Sequence, residues 1–230
     1  ADVKQLSQAL KQHDLNTLLA LANAELEIDG AISDLSWITL LLKNSYDLAI
    51  GGTGKLKIRA LVDAGWPAQG TLIEILPENL VLELLEYAIQ GDGQVKMTVL
   101  EGGESPTVKL DMNIADGLLK RQDEEQAFVE QVVIKLDALA KELSFDGPAE
   151  ALELHLQIPS AKVTDMSVFN RYFPAESPLQ ILQGNADLTA DINLERESAG
   201  GFVKLNTHNL HGAVDEQQIS ADLGVDIKLS

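Results

Sequence analysis

Residues 32–36 read Ile-Ser-Asp-Leu-Ser, and residues 163–167 read Val-Thr-Asp-Met-Ser, 131 positions further on (163 − 32). The similarity continues along the chain, and the offset drifts only between 130 and 132 positions. The matched positions include two glycines and an Asn-Leu pair: Gly52 and Gly184, Gly70 and Gly201, Asn79 and Asn209, Leu80 and Leu210. We interpret the chain as two copies of one unit of roughly 130 residues, which predicts an elongated body whose function lies in a continuous surface.

The repeat sets the expected organisation of the chain. We assign residues 1–30 to an N-terminal helix and lead strand, 31–100 to the first copy, 101–160 to connecting strands, and 161–230 to a truncated second copy. All four parts are expected to form one continuous β body. The chain starts without methionine and the second copy stops opposite the middle of the first, so we expect a fragment of a longer repeat protein.

Strict alternation of polar and apolar residues dominates the sequence. It is clearest in residues 55–60, 108–114, 152–158, 187–194 and 222–229. This spacing predicts β-strands that each have one apolar face. The expected fold is therefore mainly β.

Glycine-rich and proline-rich stretches separate the alternating segments. Residues 101–106 join two of them, so residues 94–114 predict a β-hairpin. Residues 65–67 and 199–201 are expected to mark turns between similar pairs. The sequence thus predicts an antiparallel meander.

Helices are expected to be few and short. Ser33 or Asp34 can cap a helix over residues 35–42, and Thr164 or Asp165 can cap one over residues 166–173, which Pro174 would stop. Residues 3–22 are also expected to be helical.

Two further segments, residues 80–89 and 128–143, have apolar spacing that suits a helix or a strand. We favour a strand for the first, because its counterpart in the second copy, residues 210–214, contains glycine and is a poor helix. For the second we favour a strand through Leu136.

Composition excludes several classes of function. Of the 230 residues, 45% are hydrophobic, which predicts a folded protein. The formal net charge of −19 argues against nucleic acid and against docking to anionic membranes through basic residues. The chain has no cysteine and no uninterrupted apolar stretch near the ~20 residues that a membrane-spanning helix needs.

Candidate chemistry is sparse. His208 and His211 lie three positions apart, but no third ligand accompanies them, so we expect no metal site. Residues 51–54 are glycine-rich but lack the Lys-Ser/Thr and helix of a phosphate loop, which favours a turn into a strand. Asp187 and Asp191 share the polar side of an alternating strand and are interpreted as a solvated pair. We expect no catalytic residue and no cofactor.

The strongest candidate for a functional surface is an apolar face that recurs in both copies. If a second sheet covers this face, it is an ordinary sandwich core; if the sheet stays open, it is a long hydrocarbon surface that requires a ligand or partner. Glycines beside strand starts, such as Gly70 and Gly201, would permit the bulges of a curved sheet. The residues predicted to contact lipid are Leu56, Ile58, Ala60, Val62, Leu188, Ala190, Ile192 and Leu194.

Each copy also contains a short apolar helix at the end of this face. Trp37 and Leu41 mark it in the first copy, and Phe169 and Phe173 mark it in the second. The simpler interpretation is that the helix plugs the end of the sheet as part of the core. The alternative is that it lines or gates an apolar groove.

In these residues the chain resembles the repeats of bacterial AsmA-like proteins, including the TamB group. The shared pattern is the Asp-apolar-Ser helix start, the strand beginning Lys55-Leu56 or Asp187-Leu188, and the later Gly70-Thr71-Leu72 or Gly201-Phe202-Val203. The resemblance implies an inner-membrane anchor, a periplasmic location and a taco-like β-groove lined with aliphatic side chains. It also implies phospholipid movement between two membranes or help in outer-membrane assembly, without catalytic residues.

We therefore expect an elongated antiparallel curved sheet, a taco-like groove or an open sandwich, with a few short helices. Its expected function is to bind or conduct the acyl chains of phospholipids, and other envelope proteins are further candidate partners. A non-catalytic interaction module with a closed β-sandwich is the alternative. The least favoured hypothesis is an enzyme whose active site lies within a β scaffold.

Overall fold

The computed structural model describes residues 23–36, 48–84, 86–142, 151–195, 198–215 and 217–229. They form one open antiparallel sheet of twelve strands, in which long strands follow each other in chain order. This confirms the mainly β prediction. The strands are β1 (Ala24–Ile32), β2 (Leu48–Asp63), β3 (Trp66–Pro67), β4 (Leu72–Leu84), β5 (Tyr87–Glu101), β6 (Thr107–Arg121), β7 (Val129–Lys141), β8 (Ala151–Val163), β9 (Leu179–Glu195), β10 (Ser198–Val214), β11 (Gln217–Ala221) and β12 (Gly224–Leu229).

The three shortest strands complete the sheet without adding a layer. The two-residue strand β3 pairs with the end of β2. Strands β11 and β12 both pair with β10, one after the other, and so form a single edge strand interrupted at Asp222 and Leu223. Strand β1 is the opposite edge. Among the described residues, no second sheet packs on the first.

A row of β-bulges crosses the middle of the sheet. Register shifts occur in β2–β4 at Gly51/Thr53, in β5–β6 at Gln90/Asp92, in β6–β7 at Ile114/Gly117 and in β8–β9 at Ile158/Ala161. A bulge adds an unpaired residue and bends its strand. The row therefore divides strands of 13 to 17 residues into two bent halves.

The bulges occur at equivalent places in the two copies. Asn79 and Asn209 both have left-handed backbone, with φ of 56° and 52°. The N–H of Asn79 donates to Asp92 Oδ1 at 3.1 Å, and the N–H of Asn209 donates to Asp222 Oδ1 at 2.8 Å. Asparagine tolerates this conformation better than most residues. The Asn-Leu pair that repeats in the sequence thus marks a repeated bulge.

Strand register repeats as well. Ile75 pairs with Val95 in β4–β5, and Leu205 pairs with Val225 in β10–β12, so both partners move by 130 positions. The same shift relates the pair Leu84 and Tyr87 to the pair Val214 and Gln217. Strand β5 and the interrupted edge β11–β12 are therefore the same element of the repeat.

The predicted helix of the second copy is present as a 3-10 helix, Met166–Tyr172. The Asp165 carboxylate accepts from the backbone N–H of Ser167 at 2.8 Å, so of the two predicted capping residues, Thr164 and Asp165, it is Asp165 that caps the helix. The matching contact in the first copy joins Asp34 to the N–H of Ser36, also at 2.8 Å, and lowers the pKa of Asp34. The rest of the first helix, and the helix predicted over residues 3–22, lie outside the described residues.

The core lies on one side of the sheet, around the bulge row and the 3-10 helix. Leu35 and Met166, which follow the two capping aspartates, are both buried in it. Ile114 and Val163 are among its most deeply buried members. The buried hydroxyls of Thr71 and Thr207 are satisfied by the backbones of Leu61 and Leu223.

Both ambiguous segments contain strands. Residues 128–143 include β7, which continues beyond Leu136 to Lys141. Residues 80–89 contain the end of β4 and the start of β5, so the strand prediction is confirmed but the turn within the segment was missed. The hairpin over residues 94–114 is also confirmed, because β5 and β6 pair across it.

Two turn predictions are wrong. Residues 199–201 lie inside β10, where Gly201 adopts φ of +130° and a Cβ would lie 2.0 Å from the carbonyl oxygen of Asp191. Residues 51–54 lie inside β2 at its bulge, where Gly52 adopts φ of +118°. In both cases glycine serves close backbone approach within a strand rather than chain reversal.

Candidate functional surface

Cross-strand register connects aliphatic side chains into rows that run across the sheet. One row begins at Leu56 and ends at Ile192, and so joins the two copies. Adjacent strands place these side chains on the same side, because residues directly opposite in a ladder share a face. Its members in order are Leu56, Ile75, Val95, Met112, Leu136, Leu156 and Ile192.

A second row runs parallel to the first on the same face. It begins at Ile28 on edge strand β1, passes through Ile58 and ends at Leu194. Its members are Ile28, Ile58, Ile73, Met97, Leu110, Ala138, Leu154 and Leu194. We call the side of the sheet that carries both rows the aliphatic face.

The opposite side of the same strands carries polar and charged residues, and we call it the polar face. A matching row there begins at Asp29 and Lys57 and ends at His155 and Asn193. Side chains of opposite charge stand next to each other along most of it. The row is Asp29, Lys57, Glu74, Lys96, Asp111, Asp137, His155 and Asn193.

The structure brings the predicted lipid-contacting residues onto one surface. Ala60 and Val62 of β2 pair with Leu26 and Ala24 of β1, respectively. At the other end, Ala190 and Leu188 of β9 pair with Val203 and Leu205 of β10, which repeats the arrangement around Ile58 and Leu56. All eight predicted residues therefore belong to the aliphatic face. Most are half-buried, Ala190 is buried, and Leu194 is exposed.

Exposure on this face rises toward the two edge strands. Leu26 and Ile28 of β1 are 54% and 42% exposed, and Val225 and Ile227 of β12 are 43% and 51% exposed. Large exposed aliphatic side chains that adjoin one another are characteristic of surfaces that receive a ligand or partner.

The 3-10 helix closes one part of the aliphatic face and borders two cavities. Phe169 lines both of them. The first, of about 230 Å³, also contacts Tyr87, Phe128 and Tyr172. The second, of about 310 Å³, is enclosed by Phe173 and by side chains of β9, β10 and the β11–β12 edge, and its walls expose only apolar atoms.

The structure places the helix residues predicted for the second copy as follows. Phe169 and Phe173 pack against the core and also line the larger cavity. Trp37 and Leu41, their counterparts in the first copy, lie outside the described residues.

The polar candidates have local partners. His208 Nε2 lies 2.8 Å from Asp187 Oδ2, while His211 Nδ1 lies 2.7 Å from Ser220 Oγ. No group of three potential metal ligands occurs in the described part of the chain. Residues 51–54 continue as strand rather than helix, and Thr53 Oγ1 donates to the carbonyl of Glu78 at 3.2 Å.

Asp191 belongs to a polar cluster that sequence reasoning did not predict. Its carboxylate accepts from Gln157 Nε2 and contacts His155 Nε2, both at 2.9 Å, and these hydrogen bonds lower the pKa of Asp191. Register places β8 beside β9, and sequence spacing alone does not reveal that neighbour. The cluster lies on the polar face.

A second unpredicted cluster stands beside the smaller cavity. Arg121 forms ion pairs with Glu86, Asp123 and Glu124, and Arg171 contacts the same Glu124 at 3.1 Å. It links the end of β6 to the 3-10 helix. Arg121, Asp123 and Glu124 are close in sequence, but Glu86 and Arg171 are distant from them, so no local motif could have indicated the whole cluster.

No family model, curated protein or solved structure matches this chain. No helix among the described residues has the length and hydropathy to cross a membrane.

Proposed function

We propose that this protein binds lipid acyl chains along its aliphatic face and passes them along the sheet. The observation that supports the proposal most directly is the pair of aliphatic rows that cross the sheet from one copy to the other. An acyl chain needs only a continuous hydrocarbon wall, and the rows provide one without a polar interruption.

The energetics favour a passive mechanism. Removing apolar surface from water stabilises the bound state by roughly 25 cal/mol per Å². Aliphatic side chains contact any segment of a hydrocarbon tail in the same way, so a chain can slide from one strand to the next at little cost. Head groups would remain in water beyond the edge of the aliphatic face.

The helix of the second copy fits this role. Its two cavities offer apolar space beside the aliphatic face, and Phe169 lines both of them. We propose that Phe169 and Phe173 form the end of the path at which an acyl chain is held. In this proposal the protein is not an enzyme and requires no cofactor.

The resemblance to AsmA-like repeats supports a setting for this activity. In that setting the chain is a periplasmic part of a protein anchored in the inner membrane of a Gram-negative bacterium. Its function there would be lipid transport between membranes or outer-membrane assembly.

The first experiment is native mass spectrometry with lipid extraction on protein purified from a bacterial lysate that contains membranes. We expect phospholipid to accompany the wild-type protein. Ile58→Asp and Ile192→Asp place a charge in each of the two aliphatic rows and should remove it, because burying a carboxylate against a hydrocarbon tail is costly.

Matched controls lie on the polar face of the same strands. Lys57→Asp and Asn193→Asp also introduce a carboxylate next to the tested positions, and they should retain lipid. Circular dichroism and thermal unfolding would establish that each variant is folded. Ile58→Trp supplies a second test, since it obstructs the face without adding charge. A folded wild-type protein without lipid, or equal lipid in all variants, would contradict the proposal and favour a module that works through protein partners.

A further inference from the structure

The smaller cavity beside the 3-10 helix has an apolar interior with aromatic walls. Tyr87, Phe128, Phe169 and Tyr172 line it, in a chain of which only 4% is aromatic. Leu188, a residue of the aliphatic face, also contributes to the wall, so the cavity adjoins that face. Its volume is about 230 Å³, and a cavity of about 150 Å³ already holds benzene. The cavity therefore accommodates a short segment of one hydrocarbon chain.

Two arginines, Arg121 and Arg171, complete the wall of this cavity and hold one carboxylate oxygen between them. Glu124 Oε1 lies 3.2 Å from Arg121 Nη1 and 3.1 Å from Arg171 Nη2. Glu86 and Asp123 contact Arg121 through the other terminal nitrogen, Nη2, at 3.5 and 3.0 Å. Within the described part of the chain, Glu124 is therefore the carboxylate that bridges the two guanidinium groups.

One donor of Arg121 is not satisfied by this network. Its Nε is buried and has no hydrogen-bond partner among the described residues. A buried N–H without an acceptor is uncommon in folded proteins, because the unmet donor costs free energy. Arg171 differs, since its Nε donates to the carbonyl of Val168 at 3.1 Å. The cavity wall thus contains a guanidinium donor for which an oxygen of a bound molecule would be a partner.

The position of the Glu124 carboxylate suits an anion that belongs to a ligand. Arginine side chains bind carboxylate and phosphate oxygens by charge-assisted hydrogen bonds, and two guanidinium groups already meet there. The Arg121 and Arg171 side chains are 22% and 31% exposed, so both can be reached from water. Glu124 lies in the turn between β6 and β7, where rotation of its side chain would release both arginines.

We propose that the cavity binds a lipid with one hydrocarbon chain against the aromatic walls and its oxyanion, a carboxylate or a phosphate, between Arg121 and Arg171. The oxyanion replaces the carboxylate of Glu124, which occupies the site when no ligand is bound. The inference rests on the proposed function and narrows it to lipids whose head group carries an oxyanion. Two carboxylates, Glu86 and Asp123, stay beside Arg121. The attraction therefore comes mainly from Arg171.

Isothermal titration calorimetry on lipid-free protein tests the site with decanoate and decanol, which have chains of equal length but a charged and a neutral head group. We expect decanoate to bind about tenfold more tightly, since only decanoate forms charge-assisted hydrogen bonds with both arginines. Arg171→Gln should remove this difference and leave decanol binding unchanged. The matched control is Arg59→Gln, which breaks another arginine–glutamate pair, with Glu25 in β1, and should change neither affinity.

Glu124→Gln separates a ligand site from a structural bridge. Without its charge the side chain competes less well for the guanidinium groups, so decanoate should bind about three- to tenfold more tightly and decanol as before. A bridge that only held the helix would lose stability in this variant without any gain in affinity. Val168→Phe places a larger side chain at the cavity wall and should weaken the binding of both compounds.

Decyl phosphate and inorganic phosphate identify the source of the oxyanion. Tighter binding of decyl phosphate than of decanoate would indicate a lipid phosphate, and the reverse order would indicate a fatty acid; both orders support the inference. Inorganic phosphate should bind more than about tenfold more weakly than decyl phosphate, because it has no chain to remove from water.

Three results would overturn the inference. They are equal affinity for decanoate and decanol, no gain in decanoate affinity in Glu124→Gln, and inorganic phosphate that binds as tightly as decyl phosphate. Equal affinity for decanoate and decanol would leave the proposed function intact, because hydrocarbon chains would still bind. If neither compound binds, the inference fails, and the phospholipid that accompanies the purified protein decides the proposed function separately.

Discussion

Strand β5 and the edge β11–β12 show how one repeat element behaves in two settings. Both have the same register with the preceding strand and the same bulge geometry. Strand β5 has neighbours on both sides, and its aliphatic side chains are half-buried. At the edge, the equivalent side chains are exposed. Local geometry is therefore set within the repeat, whereas burial depends on the next strand.

The largest difference in stability between the two copies is expected when the leucine that follows the bulge, Leu80 or Leu210, is replaced by alanine. Leu80 is 3% exposed, while its counterpart Leu210 is half-buried beside the larger cavity. Leu80→Ala should lower the free energy of unfolding by about 3 kcal/mol, because it removes buried methyl groups and leaves a cavity. Leu210→Ala should cost about half as much. Urea unfolding of both variants measures the difference, and equal losses would show that the two copies are packed equally well.

A smaller effect is expected at the glycine pair Gly70 and Gly201. A Cβ on Gly201 would lie 2.0 Å from the Asp191 carbonyl oxygen, whereas on Gly70 it would meet only Leu61 Cδ1 at 3.4 Å. Both residues have positive φ, so either substitution causes strain. We expect Gly201→Ala to cost about 2–3 kcal/mol and Gly70→Ala about 1 kcal/mol in thermal unfolding.

Gly200 provides the matched control for that experiment. It adjoins Gly201 in β10, and a Cβ there would meet nothing within 4 Å. Gly200→Ala should leave stability almost unchanged. A loss equal to that of Gly201→Ala would contradict the argument from close backbone approach.

Removing the aspartate that accepts a hydrogen bond at each bulge should lower the stability of the protein equally in the two copies. Asp92→Ala and Asp222→Ala each remove the carboxylate that accepts from the N–H of a left-handed asparagine. Each should cost about 1 kcal/mol, the usual net contribution of such a hydrogen bond. Asp92→Asn and Asp222→Asn keep an acceptor oxygen and should restore most of that loss. Chemical denaturation that shows a loss in only one copy would show that the bulges are not equivalent.

The smallest effect concerns pH and the polar face. Hydrogen bonds from Gln157 and His155 lower the pKa of Asp191 in the folded protein. At pH values above the pKa of an aspartate in the unfolded chain, about 3.9, the lowered pKa therefore stabilises the folded state. This stabilisation is lost as the pH falls through the lowered pKa. The Asp191 side chain is 31% exposed, so the contribution should stay below about 1 kcal/mol.

Urea midpoints between pH 2 and pH 6 measure this contribution. Asp191→Asn should flatten the acid end of the profile, and Gln157→Ala should weaken its slope. An unchanged profile in Asp191→Asn would show that the cluster does not couple protonation to folding.

Sequence patterns were reliable where a local physical rule acts. Alternation identified the strands and placed Leu56, Ile58, Ile192 and Leu194 on one face, because side chains in a strand point to opposite sides in turn. The capping rule located the 3-10 helix after Asp165. Glycine was a less reliable predictor of turns. Residues 199–201 were predicted to form a turn, but they lie within β10, where Gly201 allows the backbone of β9 to approach closely.

By itself the sequence determined the β class, the alternating polarity of the strand faces and the start of the short second-copy helix, because these follow from spacing within a few residues. Tertiary structure alone decided the register of the strand pairs, that the described strands form a single sheet, and that the bulges form one row across it. It also decided which aliphatic residues form rows. These features depend on pairing between distant segments, and no local pattern specifies that pairing.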